Sequence, residues 1–188
     1  MYKLREVFSS SARELKDMRT LAVTAMLMAV AVILGFFGTV QIGDYLKIGF
    51  SFIANELTAL MFGPAVGGIM AGAADIIKYV VKPTGAFFPG FTLSAVVGGV
   101  IYGCLLYKKP VSLKRIAAAK AVVAVVVNIG LNTLWLSMLY GQAFHVLLPA
   151  RALKQLIMVP VETALFYAVV VVLQRAGVFG AIRVKIRK

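Results

Sequence analysis

Cysteine and histidine are nearly absent from this chain of 188 residues: one of each, Cys104 and His145. A single cysteine excludes an internal disulfide, and a single pair of such ligands leaves nothing for a Cys/His metal site or a Cys-His nucleophile. Acidic residues are also scarce, seven Asp and Glu against twenty Lys and Arg, for a net charge of +13. No G-x-x-x-x-G-K-[ST] loop, H-E-x-x-H or G-x-S-x-G occurs, which removes the common signatures of nucleotide hydrolysis, zinc proteolysis and serine hydrolysis. With no constellation of nucleophile and base, the chain reads as a non-enzyme.

What the sequence has in excess is apolar length. Hydrophobic residues make up 61%, against roughly 45–50% in soluble domains, and the mean hydropathy is +0.93. The class is therefore a membrane protein. Its basicity reflects topology rather than nucleic-acid binding, because most Lys and Arg stand at the ends of apolar runs, where anionic membrane lipid can take them. Against a requirement of ~20 residues per spanning helix, six apolar segments emerge. They are Leu21–Phe37, Ile48–Phe62, Ala65–Val81, Phe88–Leu106, Ile116–Tyr140 and Leu147–Leu173. The tight joint at Gly63-Pro64 makes the second and third a hairpin. The fold class is all-α, a bundle of six transmembrane helices.

The first run exceeds the ~7–15-residue core of a signal peptide and lacks a small-residue cleavage pattern, so it is expected to stay in the mature protein. Residues 1–19 mix Leu4, Val7, Phe8, Leu15 and Met18 with charge, which fits either an amphipathic helix on the cytoplasmic surface or a solvated tail. Residues 20–175 form the membrane domain and 176–188 a basic cytoplasmic tail. Lys3, Arg5, Arg13, Lys16 and Arg19 precede the first span, Lys108, Lys109, Lys114, Arg115 and Lys120 surround the fourth connection, and Arg175, Arg183, Lys185, Arg187 and Lys188 follow the last. With six spans all three clusters share one side, and the positive-inside rule makes both termini cytoplasmic.

The remaining cations, Lys47, Lys78, Lys82, Arg151 and Lys154, fall toward the outer side. Lys47 and Lys82 also suit ordinary interface anchoring, since long amines snorkel. Intramembrane polar groups are costly and by default face a cavity or one another. Asn128, Asn132 and Trp135 recur at i, i+4 and i+7 on one face of the fifth span, and Arg151, Lys154, Met158 and Glu162 do the same on the sixth. Asp75, Lys78 and Lys82 share a face of the third, the fourth opens with Phe87, Phe88, Pro89, Gly90, Phe91 and Thr92, and the second carries Asn55 and Glu56. Polarity concentrated in the outer halves describes a pocket open outside and closed below. Its cations and aromatics point to a small anionic solute with a flat ring, with Asp75 or Glu56 accepting from amino groups. Ala25/Ala29, Gly63/Gly67, Gly68/Gly72 and Gly99/Gly103 make small-xxx-small steps, which permit close helix approach within the bundle or to a partner chain.

Several ordered motifs carry a resemblance. They are Gly49-Phe50-Ser51-Phe52-Ile53-Ala54-Asn55, Phe62-Gly63-Pro64, Ala74-Asp75-Ile76-Ile77-Lys78-Tyr79, Lys82-Pro83-Thr84-Gly85, Phe88-Pro89-Gly90-Phe91-Thr92, Asn132-Thr133-Leu134-Trp135-Leu136 and Pro149-Ala150-Arg151. Over roughly residues 20 to 173 the chain resembles the folate-specific S component of energy-coupling factor (ECF) vitamin transporters. The resemblance implies a six-helix vitamin-binding subunit in the bacterial plasma membrane, docked through Ala25 and Ala29 on an EcfT-type transmembrane coupling protein that carries two EcfA-type ATPases. It implies folate as ligand, no bound cofactor, and ATP used only by the partner subunits. It also implies a bundle that topples in the membrane to carry its pocket inward. Inferred from face and depth, the folate-binding set is Lys47, Asn55, Asp75, Lys78, Phe88, Phe91, Thr92, Asn132, Trp135, Arg151 and Lys154. An S component for another anionic vitamin, such as pantothenate or a flavin, is the nearest rival. A self-sufficient secondary transporter is disfavoured by the lack of an internal repeat.

Overall fold

The computed structural model describes residues 4–42, 46–83, 87–141 and 144–182, with backbone only for 39–42, 46–48, 140, 144–147, 150 and 181. The basic residues Lys3, Arg183, Lys185, Arg187 and Lys188 lie outside the described residues, as does the side chain of Lys47.

Helix α1 (Leu4–Glu14) is followed by α2 (Met18–Phe37), whose N-terminus is capped by Asp17 accepting from the Arg19 N–H at 3.3 Å. Strands β1 (Thr39–Ile42) and β2 (Leu46–Gly49) pair antiparallel with Thr39 opposite Gly49. This hairpin is an element the hydropathy pattern did not reveal, and it takes residues 48 and 49 out of the expected second span. Then come α3 (Phe52–Val81), α4 (Pro89–Leu106), α5 (Leu113–Val123), a π-helical segment (Ala124–Leu131), α6 (Asn132–Tyr140), α7 (Phe144–Arg175) and α8 (Val178–Ala181).

Among the described residues five helical stretches are long and apolar enough to cross a membrane: α2, α3, α4, α5 through α6, and α7. Their outward faces carry Met26, Ile33, Val80, Leu156 and Val172, all exposed. A face of that kind is stable only where hydrocarbon is the solvent. The chain is a multi-pass membrane protein.

Helix α3 does not run straight. Gly63 has φ 88° and ψ −171°, a conformation only glycine adopts readily, and Pro64 follows it. A methyl added at Gly67 would lie 2.8 Å from the Ala59 Cβ, although residues eight apart in a straight helix are separated by about 12 Å. The helix therefore folds back at Gly63, and its two arms, 52–62 and 64–81, run antiparallel. The expected close turn at Gly63-Pro64 is present. The glycine steps serve internal packing: Gly99 sits on the Gly67 carbonyl and Gly103 on Pro64, so close that a Cβ at either would overlap backbone.

The break at Gly63 strands backbone groups that a continuous helix would pair. Ser11 of α1 satisfies them. Its Oγ donates to the Phe62 carbonyl at 2.6 Å and accepts from the N–H groups of Ala65 at 3.0 Å and Val66 at 3.3 Å. The Tyr107 hydroxyl, just beyond α4, donates to Glu14 at 3.2 Å, and Lys108 donates to Ser10. Burial first, then the Glu14 charge, pushes the Tyr107 phenol up to about 12, so it donates as a neutral group. Helix α1 is thus packed under the α3 apex rather than being a free tail. At the other end of the chain Phe179 is buried in the core with Phe62, Leu106, Ile116 and Phe166.

Candidate functional site

A cavity of about 330 Å³ opens between the two arms of α3, α4, the α5–α6 helix and α7, a volume at the small end of ligand sites. The fold-back of α3 is what makes it, because Asn55 and Asp75, twenty positions apart in one helix, both line it. The π-helical segment adds Val127 and Asn128 to the wall and passes it on to Asn132 of α6.

One flank is aromatic. Phe91 lines the cavity, Phe88 lies 6.0 Å from it and 5.7 Å from Trp135, ring centre to ring centre. The Trp135 indole N–H donates to Ser94 Oγ at 3.0 Å, pinning α6 to α4. Thr92 Oγ1 donates to Asp75 Oδ2 at 2.9 Å, joining α4 to the second arm of α3. Asn132 Nδ2 donates to Asn128 Oδ1 at 3.4 Å.

The other flank is acidic. Glu56, Asp75 and Glu162 all face the cavity. Lys120, 2% exposed, places its Nζ 2.5 Å from Glu56 Oε1 and 2.8 Å from Glu162 Oε2. It also lies 3.8 Å from the centre of the Phe52 ring. The contact with Glu56 is an ion pair without hydrogen-bond direction. Both Glu56 oxygens, Asn55 Oδ1 and Asn132 Oδ1 are buried without a hydrogen-bond partner among the described residues. Glu56 Oε1 is held by the Lys120 ammonium; the other three, on residues that line one cavity, are costly when buried and describe a wall suited to a donor-bearing guest.

Of the expected ligand residues, Asn55, Asp75, Phe91 and Asn132 form the wall itself. Thr92, Phe88 and Trp135 stand directly behind or beside it. The expected cations do not line it: Lys78 donates to Ser51 at 3.4 Å, and Arg151 and Lys154 are half-buried on α7. Arg151 precedes Glu162 by eleven residues, about 16 Å along a helix, on the same face and toward the end of the bundle where Phe88 and Trp135 lie. Lys120 is not part of a surface basic cluster, since Glu56 and Glu162 draw it into the interior. The half of the bundle nearer the α3 apex is not purely apolar, because it holds this triad. Phe52, Ser94 and Tyr102 were missed as wall residues. The available signal was an isolated Lys120 within an apolar run and two intramembrane glutamates to match it.

A helical membrane bundle whose described residues enclose a solute-sized cavity, with two carboxylates of a buried ion triad in its wall, has the build of a membrane-embedded solute-binding subunit. Residues 19–182 match the family model of the ECF transporter substrate-specific component, and the chain belongs to that family. The folate transporter FolT of Clostridium novyi (strain NT) is 38% identical over 153 residues, covering 81% of this chain and 88% of that one. FolT of Leuconostoc mesenteroides is 33% identical over 158 residues, 80% and 84% of the two chains. A solved structure, described as the crystal structure of FolT bound with folic acid, matches with a TM-score of 0.71 and 36% identity, over 80% of this chain and 90% of that one. The chain is a FolT-like ECF S component.

Proposed function

We propose that this chain binds folate from outside the bacterial plasma membrane and hands it to an EcfT-type coupling protein driven by two EcfA-type ATPases. The observation that carries the ligand is the cavity wall: acceptor oxygens without a hydrogen-bond partner among the described residues, Asn55 Oδ1, Glu56 Oε2 and Asn132 Oδ1, beside the aromatic flank of Phe91, Phe88 and Trp135. A pterin offers an amino group and ring N–H donors to the acceptors and a π face to the aromatics. Ring-first entry leaves the glutamate carboxylates near the other end, toward Arg151, Lys154 and Lys78, where cations suit them. The names of the FolT relatives and of the folic-acid-bound structure support this choice over pantothenate or a flavin.

Counting the two antiparallel arms of α3 as separate passes gives six, and on that count the positive-inside rule puts both termini on the cytoplasmic side with the basic residues near α1 and the α4–α5 connection; the fold-back at Gly63 supports this reading. Docking on EcfT through Ala25 and Ala29 fits their exposure on α2. With no phosphate-binding loop in the sequence, energy enters through partner subunits. The experiment that tests the ligand is identification, by ultraviolet spectrum and mass, of the small molecule that co-purifies with the chain. A folate is expected, and riboflavin or pantothenate in its place overturns the assignment.

A further inference from the structure

Resting on the folate reading, we propose that Lys120 is a positioning residue for the solute site: by bridging Glu56 and Glu162 it fixes the Glu56 carboxylate as the acceptor for the paired N–H donors of a 2-aminopyrimidine ring edge. Lys120 does not line the cavity, whereas both of its carboxylate partners do. It therefore acts on a guest through them. Three elements converge on its Nζ: the first arm of α3 with Glu56, α7 with Glu162, and α5, which carries Lys120 itself. The Phe52 ring 3.8 Å away and the Tyr102 ring 5.8 Å away enclose the ammonium on two further sides. Such an ammonium cannot turn to meet a solute.

Charge and hydrogen bonding then say what is left over for the guest. One ammonium faces two carboxyl groups and is shared between them. Its directed hydrogen bond goes to Glu162, its contact with Glu56 is an ion pair at Oε1 only, and Oε2 of Glu56 has no hydrogen-bond partner among the described residues. Each carboxylate oxygen has two lone pairs, so Glu56, held by Lys120 at Oε1, still offers Oε2 and the second lone pair of Oε1 as a two-point acceptor, and its complement is a planar edge with two parallel N–H donors. Without Lys120 the two carboxylates would share a low-dielectric site unbalanced, and one of them would be neutralised or displaced. Glu56 would then lose its acceptor geometry.

The test uses the full chain purified in detergent and two probes, folic acid and a folate analogue with methyl in place of the 2-amino group. Wild type is expected to bind folic acid roughly ten- to a hundredfold more tightly than the analogue. Lys120→Met should lose most of that ratio by weakening folic acid while leaving the analogue nearly unchanged. Lys120→Arg, which keeps the charge and can bridge two carboxylates, should keep it. Thermal transitions report folding. If Lys120→Met does not fold, the variant Lys120→Met with Glu162→Gln, one buried charge fewer, carries the same expectation, and the wild-type ratio stands on its own. Equal wild-type affinity for the two probes, or full discrimination in a folded variant lacking Lys120, overturns the proposal alone. Failure of folded wild type to bind either probe overturns the folate reading and this proposal with it.

Discussion

Trp135 of α6 and Ser94 of α4 are joined by a 3.0 Å hydrogen bond from the indole nitrogen. The bond fixes the indole plane across two helices and holds it 5.7 Å from the Phe88 ring, so the aromatic flank of the cavity is preformed. Trp135→Ala should weaken folate binding by ~1–3 kcal/mol, on the scale of base stacking on aromatic side chains. Trp135→Phe, which keeps a ring but not the N–H, should recover part of the loss. Titration of the purified variants checks both, and wild-type affinity in Trp135→Ala would remove the aromatic flank from the site.

The clip beneath the α3 apex is a matter of stability. Ser11→Ala removes the partner of the Phe62 carbonyl and of two N–H groups at a buried site, and should cost about 1–3 kcal/mol. Gly63→Ala should cost at least a comparable amount, since φ is 88° and the new Cβ would meet Ser11 and Tyr107 at 2.8–2.9 Å. Thermal midpoints in detergent, with and without folate, measure both. Unchanged midpoints would mean that α1 does not hold the apex.

Much of this fold was legible because periodicity and breakers are local. Gly63-Pro64 announced the turn in α3, and Asn128, Asn132 and Asp75 announced polar faces with no lipid to meet. What escaped depended on distance through space. Lys120 looks like its neighbours Lys114 and Arg115 in a count of charges near a connection, and only Glu56 and Glu162, 64 and 42 positions away, make it interior. Ser11 looked like part of a polar tail because the groups it satisfies exist only once Gly63 breaks the helix. The β1–β2 hairpin was hidden because it abuts the next apolar run. The cations Lys78, Arg151 and Lys154 share helical faces with wall residues, yet depth along a helix separates them from the wall.

Docking separates binding from transport. Ala25 and Ala29 are exposed on α2 and distant in the chain from every wall residue. Ala25→Trp with Ala29→Trp should leave folate affinity of the isolated chain near wild type and abolish uptake in cells that hold the partner proteins, because bulk blocks close helix approach. Equal loss of both would place these alanines in the binding bundle instead.

Orientation is testable from the basic ends. In a Cys104→Ala background, a membrane-impermeant thiol reagent applied to intact cells should label Pro83→Cys, between α3 and α4, and spare Lys114→Cys, at the start of α5. The reverse pattern would turn the cavity mouth to the cytoplasm.

Equilibrium titration of the purified chain shows whether it is a folate-binding subunit that needs no partner to hold its ligand. Folic acid should bind saturably at one site per chain, and excess riboflavin or pantothenate should not displace it. Absence of saturable folic acid binding by folded protein, or displacement by either other vitamin, would contradict the account.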